Sequence, residues 1–234
     1  MKLSSRLETV ARHVLPGLPA ADIGADHALL SVYLVRQGIS PRVIIGELNR
    51  GPYERAQRYV REQGLEMCIE VRQGDGLEVL APHEVASVVI AGMGGKNIAG
   101  ILLKSLARAY TYQRYVLQPM RPYYPLRKVL ADLGWAIVDE EVAADDAEFY
   151  PIVVVEPRRC PAYHLGELEL ELGPRILERA TQPGVKEFLQ QELVRYERAI
   201  AGLRQAGSAE ARDKLAAYHK LKMRLEEMMD PGWS

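Results

Sequence analysis

Cysteine is scarce in this chain of 234 residues, which has only Cys68 and Cys160. Two cysteines without metal-like spacing exclude a zinc ribbon and a disulfide framework, and they are typical of a reduced intracellular protein. We therefore expect a cytoplasmic protein that holds no metal.

Long apolar runs are missing too. No stretch approaches the roughly 20 residues of a membrane-spanning helix. The chain starts with Lys2 and an amphipathic pattern, which is not typical of a signal peptide. The sequence thus predicts no contact with a membrane.

Net charge is close to zero, because 30 Lys and Arg stand against 31 Asp and Glu. The average charge therefore gives no indication of nucleic-acid binding, but the distribution does. No acidic residue lies between Glu84 and Asp132, whereas basic residues and tyrosines do: Lys96, Lys104, Arg108, Arg114, Arg121, Arg127, Lys128, Tyr110, Tyr112, Tyr115, Tyr123 and Tyr124. Cations bind phosphates and rings stack on unpaired bases, so this segment predicts RNA binding. A solvated basic helix face with tyrosines in the core is the alternative, and it suits Tyr115, which lies in a predicted strand.

The three-glycine signature of dinucleotide-binding folds is absent. Residues 22–28 read Asp-Ile-Gly-Ala-Asp-His-Ala, so only Gly24 is present, and Asp26 and Ala28 take the other two positions. Gly24 can adopt a positive φ and lets a ligand approach the backbone. The carboxylate of Asp26 would repel a pyrophosphate, which disfavours NAD. It could face the cationic amino-acid end of S-adenosylmethionine.

Apolar runs that end in glycine, acidic or Gln-Pro residues recur through the first 155 positions and alternate with helical patterns. The predicted strands precede Gly24, Gly46-Glu47, Gly74-Asp75-Gly76, Gly92 and Gln118-Pro119, and the predicted helices cover about 52–63, 96–109 and 126–134. This alternation predicts a mostly parallel sheet with helices on both faces and ligands at the carboxyl ends of the strands.

The last two predicted strands, 135–142 and 148–155, are separated by a link too short for a crossover helix. They should therefore pair antiparallel. A parallel sheet that ends in an antiparallel hairpin is the α/β, Rossmann-like layout of class I methyltransferases.

The pattern changes after Pro157. We expect a first domain over 1–160 and a helical second domain over 161–234, in which two helices of about 20 residues form an antiparallel coiled-coil hairpin around Gly207-Ser208. Its polar faces mix Lys and Arg with nearly as many acids, which leaves a tRNA-gripping arm and a dimerisation element both open.

Residues 1–15 predict an amphipathic helix, with Ser5 and Glu8 spaced as a capping box. Arg6 and Arg12 would lie on the face opposite its apolar side. Packing is the simpler role for this helix, and contact of its basic side with RNA is the alternative.

Several ordered motifs together resemble the TrmK family, the bacterial tRNA (adenine-22-N1)-methyltransferases. They are residues 22–28, 46–52, 74–77, 90–95 and 117–119, and the opening 3–7 is similar as well. The resemblance implies a class I methyltransferase domain, a C-terminal coiled coil, S-adenosylmethionine as cofactor and tRNA as partner. For the helical hairpin it favours a tRNA-gripping arm over a dimerisation element. One position departs from the family pattern, because Met120 stands where an Asn is expected. We expect a monomer.

The resemblance and the predicted sheet together suggest roles for individual residues. Asp22, Gly24 and Asp26 would hold the methionine part of the cofactor, Glu47 the ribose hydroxyls, and Asp75 and Gly76 the adenine edge. Ala91 and Gly92 would contact the cofactor through the backbone. The residues proposed to contact the target base are Asp26, His27, Gly92, Met93, Gln118 and Pro119. Those proposed to contact the rest of the RNA are Arg6, Arg121, Tyr123, Tyr124 and Arg127. For His27 a capping or packing contact is an equal alternative.

Methylation of adenine N1 needs little acid–base help from side chains. The N1 lone pair of neutral adenine can attack a sulfonium methyl directly, so no strong base and no metal are required. Two other functions stay open: a class I methyltransferase with a different substrate, and a non-catalytic RNA-binding protein with a vestigial cofactor pocket.

Overall fold

The computed structural model describes residues 3–25, 27–157, 161–206 and 209–229. Within them the chain forms two compact units, one that ends at His164 and one that begins at Leu165.

The first unit is built on seven strands. They are β1 (Ala20–Ile23), β2 (Val43–Glu47), β3 (Ile69–Gln73), β4 (Ser87–Gly94), β5 (Arg114–Met120), β6 (Ala136–Asp145) and β7 (Glu148–Glu156). They form one sheet in the order β3-β2-β1-β4-β5-β7-β6. The first five strands of this order are parallel, and β7 pairs antiparallel with both β5 and β6. The predicted parallel sheet with a terminal hairpin is confirmed.

Six helices belong to this unit: α1 (Ser5–Arg12), α2 (Leu29–Arg36), α3 (Arg50–Glu62), α4 (Gly95–Lys104), α5 (Leu106–Ala109) and α6 (Tyr124–Asp132). The single helix predicted over 96–109 is divided at Ser105, whose backbone leaves the helical region with φ −119° and ψ 36°. The remaining helices lie within a few residues of their predicted positions.

The strand order reverses direction at β1, which lies between β2 and β4. Ile23 at the end of β1 is level with Gly46 on β2 and with Ile90 on β4. The loops after these three strands therefore emerge side by side, which is where open α/β sheets bind ligands.

Helix α1 packs on the sheet through Val10 and Ala11, which are buried with Val14, just after the helix, in the same apolar core as Val89 and Ile152. Its N-cap is Ser4, whose hydroxyl oxygen accepts a hydrogen bond from the Leu7 N–H at 3.4 Å. The predicted capping box at Ser5 and Glu8 is therefore wrong by one residue.

A polar anchor complements this packing, because Arg12 and His13 both bind the Glu141 carboxylate on β6, at 2.5 and 3.0 Å. The hydrogen bond from His13 and the charge of Arg12 lower the Glu141 pKa. Helix α1 is thus fixed to the sheet at its C-terminal end.

The second unit is helical, with α7 (Glu167–Leu172), α8 (Pro174–Leu177), α9 (Pro183–Ala206) and α10 (Ala209–Met229). An apolar stripe that includes Phe188, Leu189, Tyr196 and Leu225 is buried where α9 packs against α10, and the Tyr196 and Tyr218 ring centres are 5.8 Å apart. The two long helices predicted from the sequence are present. No helix among the described residues is long and apolar enough to cross a membrane.

Candidate active site

Two cavities lie at the carboxyl edge of the sheet, and Gly24 lines both. The larger, of about 560 Å³, is lined by Ile23, Gly24, Gly46, Glu47, Leu48, Asn49, Asp75, Gly76, Met93, Lys96, Asn97, Gly100, Ile101 and Lys104. The smaller, of about 310 Å³, is lined by Arg6, Leu7, Asp22, Gly24, Ala25, His27, Leu29, Leu30, Ala91 and Gly92. The cofactor residues predicted from separate strand ends therefore come together here, apart from Asp26, which lies outside the described residues.

Gly24 is required at the junction of the two cavities. Its φ is +77°, and a Cβ at this position would lie 2.1 Å from the Met93 methyl carbon. The Gly24 N–H donates to the Gly46 carbonyl at 2.8 Å, which fixes the turn to the end of β2. Any side chain at position 24 would strain the backbone and displace Met93.

Asp22 is a buried carboxyl at the end of β1. Its Oδ2 accepts a hydrogen bond from the Ser31 hydroxyl of α2 at 2.8 Å. Burial raises the pKa of Asp22 to about 6, repulsion from Glu47 adds to that rise, and the Ser31 bond opposes it. Near neutral pH this position therefore holds a carboxylate at the cost of desolvation, which a cationic ligand group would offset.

Glu47 ends β2 and lines the larger cavity with its side chain only 6% exposed. Its backbone carbonyl accepts from the Gly74 N–H at 2.9 Å, which ties the end of β2 to the loop after β3. In that loop Gly76 has a φ of +54°, and a Cβ there would lie 2.9 Å from Ile101.

Asp75 is half-exposed and bound to a lysine. Lys104 Nζ lies 2.6 Å from the Asp75 carboxylate and 3.0 Å from that of Glu78. Both bonds raise the Lys104 pKa, the one to Asp75 most. From the sequence, Lys104 was named only among the cations of the acid-free segment and not among the cofactor-binding residues.

One face of α4 forms a wall of the larger cavity, and the sequence analysis missed it. Its lining residues are Lys96, Asn97, Gly100, Ile101 and Lys104, and each of them has another of the set three or four positions away. That spacing places them on one side of a helix, and a helix that follows β4 must face the sheet edge. The spacing was thus a signal available in the sequence.

The smaller cavity contains a polar cluster centred on Gln118. The Oε1 atom of Gln118 accepts from Arg6 Nη1 at 2.7 Å and from the Gly92 N–H at 3.0 Å. The Arg6 guanidinium also lies 5.3 Å from the ring centre of Tyr150. An arginine of the first helix is therefore built into the site.

Gln118 and Pro119 are both buried. The Gln118 amide nitrogen donates to the Pro119 carbonyl at 3.0 Å, so its donor and acceptor ends are both used inside the protein. The sequence analysis expected these residues to touch the target base. The structure corrects that expectation for the side chain of Gln118, which supports Arg6 and Gly92 instead.

Tyr123 and Arg127 also differ from their predicted roles. Arg127 is fully buried and its Nε donates to the Glu140 carboxylate, itself fully buried, at 2.8 Å. Tyr123 is 4% exposed, with Arg121 and Arg127 guanidinium carbons 5.1 and 6.0 Å from its ring centre. Neither side chain is presented to an RNA, because both belong to the core around α6.

Other predicted contact residues lie at the surface. Tyr124 is 49% exposed, Arg121 is exposed, and His27 is exposed where it lines the smaller cavity. His27 is not the N-cap of α2, since that position is Ala28. These three side chains keep their predicted roles as hypotheses.

The acid-free segment is less positive in the folded chain than in the sequence. Arg114 pairs with Glu156 and Lys128 with Asp132, in addition to the buried pair of Arg127. Exposed Lys96 lines the larger cavity. Among the described residues, no group of three or more His, Cys, Asp and Glu could hold a metal ion.

Comparison with known proteins identifies the family. A model described as "TrmK: tRNA (adenine(22)-N(1))-methyltransferase" matches residues 20–227. The tRNA (adenine(22)-N(1))-methyltransferase of Bacillus subtilis is 34% identical over 99% of both chains. The crystal structure of the B. subtilis M1A22 tRNA methyltransferase TrmK aligns with a TM-score of 0.85 at 32% identity over 98% of this chain and 99% of that one. Streptococcus pneumoniae Sp1610 in complex with S-adenosyl-L-methionine aligns with a TM-score of 0.80 at 34% identity over 94% of this chain and all of that one. The resemblance seen in the sequence motifs is confirmed, and the chain belongs to the TrmK family of tRNA (adenine(22)-N(1))-methyltransferases.

Proposed function

We propose that this chain methylates N1 of adenine 22 in tRNA, with S-adenosylmethionine as the methyl donor. The observation that carries the proposal is the pair of cavities joined at Gly24, with a buried carboxyl in each, Asp22 and Glu47. When bound, S-adenosylmethionine supplies an electrophilic methyl group.

The residues of the two cavities fit this cofactor. Asp22 would face its ammonium group, since a cation recovers the cost of the buried carboxylate. Glu47 would accept hydrogen bonds from the ribose hydroxyls, as an acid at the end of the second strand does in related α/β sites. Asp75 and Gly76 would border the adenine, and the backbone of Ala91 and Gly92 would border the methionine. A set of carboxylate acceptors suits a ligand without phosphate.

Catalysis by this site rests on positioning. The adenine N1 lone pair needs no base to attack, so the protein must align the nucleophile with the methyl group and exclude water. The Ala91–Met93 segment offers backbone groups and a thioether at this position, with no acid or base. The product ring is cationic.

The target nucleotide must leave its stack to reach the smaller cavity. Exposed Tyr124 is placed to stack on it or on a neighbour, and Arg121 and Lys96 to bind phosphates. His27 lines the same cavity and would contact the base or its ribose. We propose these roles for Tyr124 and Arg121 because both residues follow the end of β5 closely.

The helical unit would extend the tRNA contact. Its long helices carry basic and acidic residues together, including the pairs Lys214–Glu210 and Lys222–Glu226. We propose that this unit grips the tRNA outside the target nucleotide. Residues of one chain line both cavities, so a monomer suffices, and a tRNA substrate places the protein in the cytoplasm.

A methyl-transfer assay tests the proposal. The purified protein is incubated with labelled S-adenosylmethionine and an unmodified tRNA transcript that has adenine at position 22. Label should enter this transcript as 1-methyladenosine, and a matched transcript with guanine at position 22 should stay unlabelled. Equal labelling of both transcripts, or of neither, would refute the assignment.

A further inference from the structure

Arg6 connects the first helix to the centre of the site. Its Nη1 donates to Gln118 Oε1 on β5 at 2.7 Å, and its guanidinium carbon lies 5.3 Å from the Tyr150 ring centre on β7. The other arginine of α1, Arg12, pairs instead with Glu141. The two arginines therefore have separate roles, and only Arg6 lines the smaller cavity.

Arg6 fixes the orientation of the Gln118 amide. A second donor, the Gly92 N–H, reaches the same Oε1 at 3.0 Å, and the amide nitrogen donates to the Pro119 carbonyl at 3.0 Å. Because Gln118 is fully buried, a rotated amide would leave these groups unpaired. The charge-assisted bond from Arg6 is the strongest of the set.

The Gly92 N–H in turn fixes the peptide that joins Ala91 and Gly92. This peptide is trans, so its carbonyl points opposite to its N–H. The Ala91 carbonyl therefore points away from Gln118, and Ala91 and Gly92 both line the smaller cavity. A bulge between Ala91 and Met93 interrupts the pairing of β4 with β5 at this point.

We propose that Arg6 is a positioning residue for methyl transfer. Through Gln118 it holds the Ala91 carbonyl in place as the hydrogen-bond acceptor for the exocyclic amine of the target adenine. This inference rests on the proposed adenine methylation.

The Ala91 carbonyl would accept a hydrogen bond from a group that becomes more positive during the reaction. As the N1–methyl bond forms, the methyl–sulfur bond breaks with its electron pair on sulfur, and the adenine ring gains a positive charge that spreads to the exocyclic nitrogen. The amine then donates more strongly than it did in the neutral base. A carbonyl already in place stabilises the transition state more than the bound substrate.

Substrate and enzyme changes together test this role. Single-turnover rates are measured at saturating cofactor and tRNA for the wild type, Arg6→Ala, Arg6→Lys and Arg12→Ala. Each protein is given a tRNA with adenine at position 22 and one with purine riboside there, which lacks the exocyclic amine.

We expect Arg6→Ala and Arg6→Lys to slow transfer to adenine at least about tenfold, and to change transfer to purine by no more than about twofold. Arg12→Ala should match the wild type on both substrates. Calorimetry of cofactor binding to all four proteins sets the cofactor concentration at which each rate is measured under saturation. If Arg6→Ala does not fold, the comparison of Arg6→Lys with the wild type is sufficient for the test.

Three results would overturn the inference. An equal loss on both substrates would make Arg6 a phosphate contact or a folding residue, a full rate in Arg6→Lys would show that charge alone matters, and an equal loss in Arg12→Ala would reduce the effect to the docking of α1. A wild type that does not methylate adenine 22 would instead refute the proposed function, and this inference with it.

Discussion

Asp22 combines burial with a place beside the proposed cofactor ammonium group. Its pKa of about 6 results first from desolvation and then from repulsion by Glu47. The free protein therefore holds Asp22 ionised above about pH 6 and protonated below it. Because an ammonium group binds the ionised form, cofactor binding and proton binding at Asp22 should compete.

Cofactor affinity should consequently fall as the pH is lowered. We expect a constant Kd above about pH 7 and a Kd that rises up to about tenfold per pH unit below 6, as one proton is taken up on each Asp22. Calorimetry between pH 5 and 8 measures this, with Asp22→Asn as the control, whose binding should be weak at every pH. The same slope in Asp22→Asn would show that another group titrates.

Glu47 should matter to the cofactor and not to the tRNA. Replacing Glu47 with Ala removes a nearly buried acceptor for the ribose hydroxyls, so cofactor binding should weaken by about 10- to 100-fold. Filter binding should give an unchanged tRNA affinity, and exposed Glu62→Ala should leave both affinities as they are. A parallel loss of tRNA binding in Glu47→Ala would contradict the assigned role.

The positions of candidate site residues were predictable where they depend on strand ends and not where they depend on burial. Asp22, Gly24 and Glu47 directly follow or end apolar runs, and the topology alone brings such positions together. Arg127 was placed in the RNA-binding set because its segment lacks acids, but its partner Glu140 lies on β6, which sequence composition does not pair with it. Lys104 and Asp75 are likewise joined only by the fold.

Helix α6 and strand β6 are joined by the buried pair of Arg127 and Glu140. Arg127→Met would leave the Glu140 carboxylate uncompensated in the core, so the free energy of unfolding should fall by about 3–5 kcal/mol. Exposed Lys128→Met, on the same helix turn, should change it by no more than about 0.5 kcal/mol. Urea denaturation measures both values.

The same variants separate stability from RNA binding. At a temperature where it remains folded, Arg127→Met should bind tRNA with wild-type affinity, and the double variant Arg127→Met with Glu140→Leu should regain most of the lost stability. A tRNA affinity that falls while the protein stays folded would return Arg127 to the RNA-contact set.

Elements were predicted best where periodicity is strong. The seven strands and the antiparallel hairpin followed from apolar runs and link lengths. The end of α4 at Ser105 was missed because no glycine or proline marks it, and the N-cap at Ser4 because two serines are adjacent. The role of α1 was also left open, since the contact between Arg6 and Gln118 joins residues 112 positions apart.

The proposed function assigns cofactor binding to the first unit of the molecule and part of the tRNA contact to the second. The first contains both cavities and an apolar core of its own, which extends from α1 to β7. A chain that ends at His164 should therefore fold and bind the cofactor with unchanged affinity. Its tRNA affinity should fall at least about tenfold, because the phosphate contacts that we propose for the helical unit would be lost.

Calorimetry with the cofactor and filter binding with tRNA at fixed salt test this division. The 234-residue chain with Lys214→Ala, which breaks the exposed ion pair between Lys214 and Glu210 of the helical unit, provides a control for small charge changes. Unchanged tRNA binding by the shortened chain would assign the helical unit to assembly or stability.

We propose above all that this protein methylates one particular adenine, the one at position 22 of tRNA. The most direct test of this proposal is to treat unmodified cellular tRNA with the pure protein and S-adenosylmethionine, and to map every methylated nucleotide by mass spectrometry. We expect 1-methyladenosine at position 22 in tRNAs that have adenine there, and no other new methylation. Methylation at a different nucleotide, or none in any tRNA while the cofactor binds, would contradict the proposal.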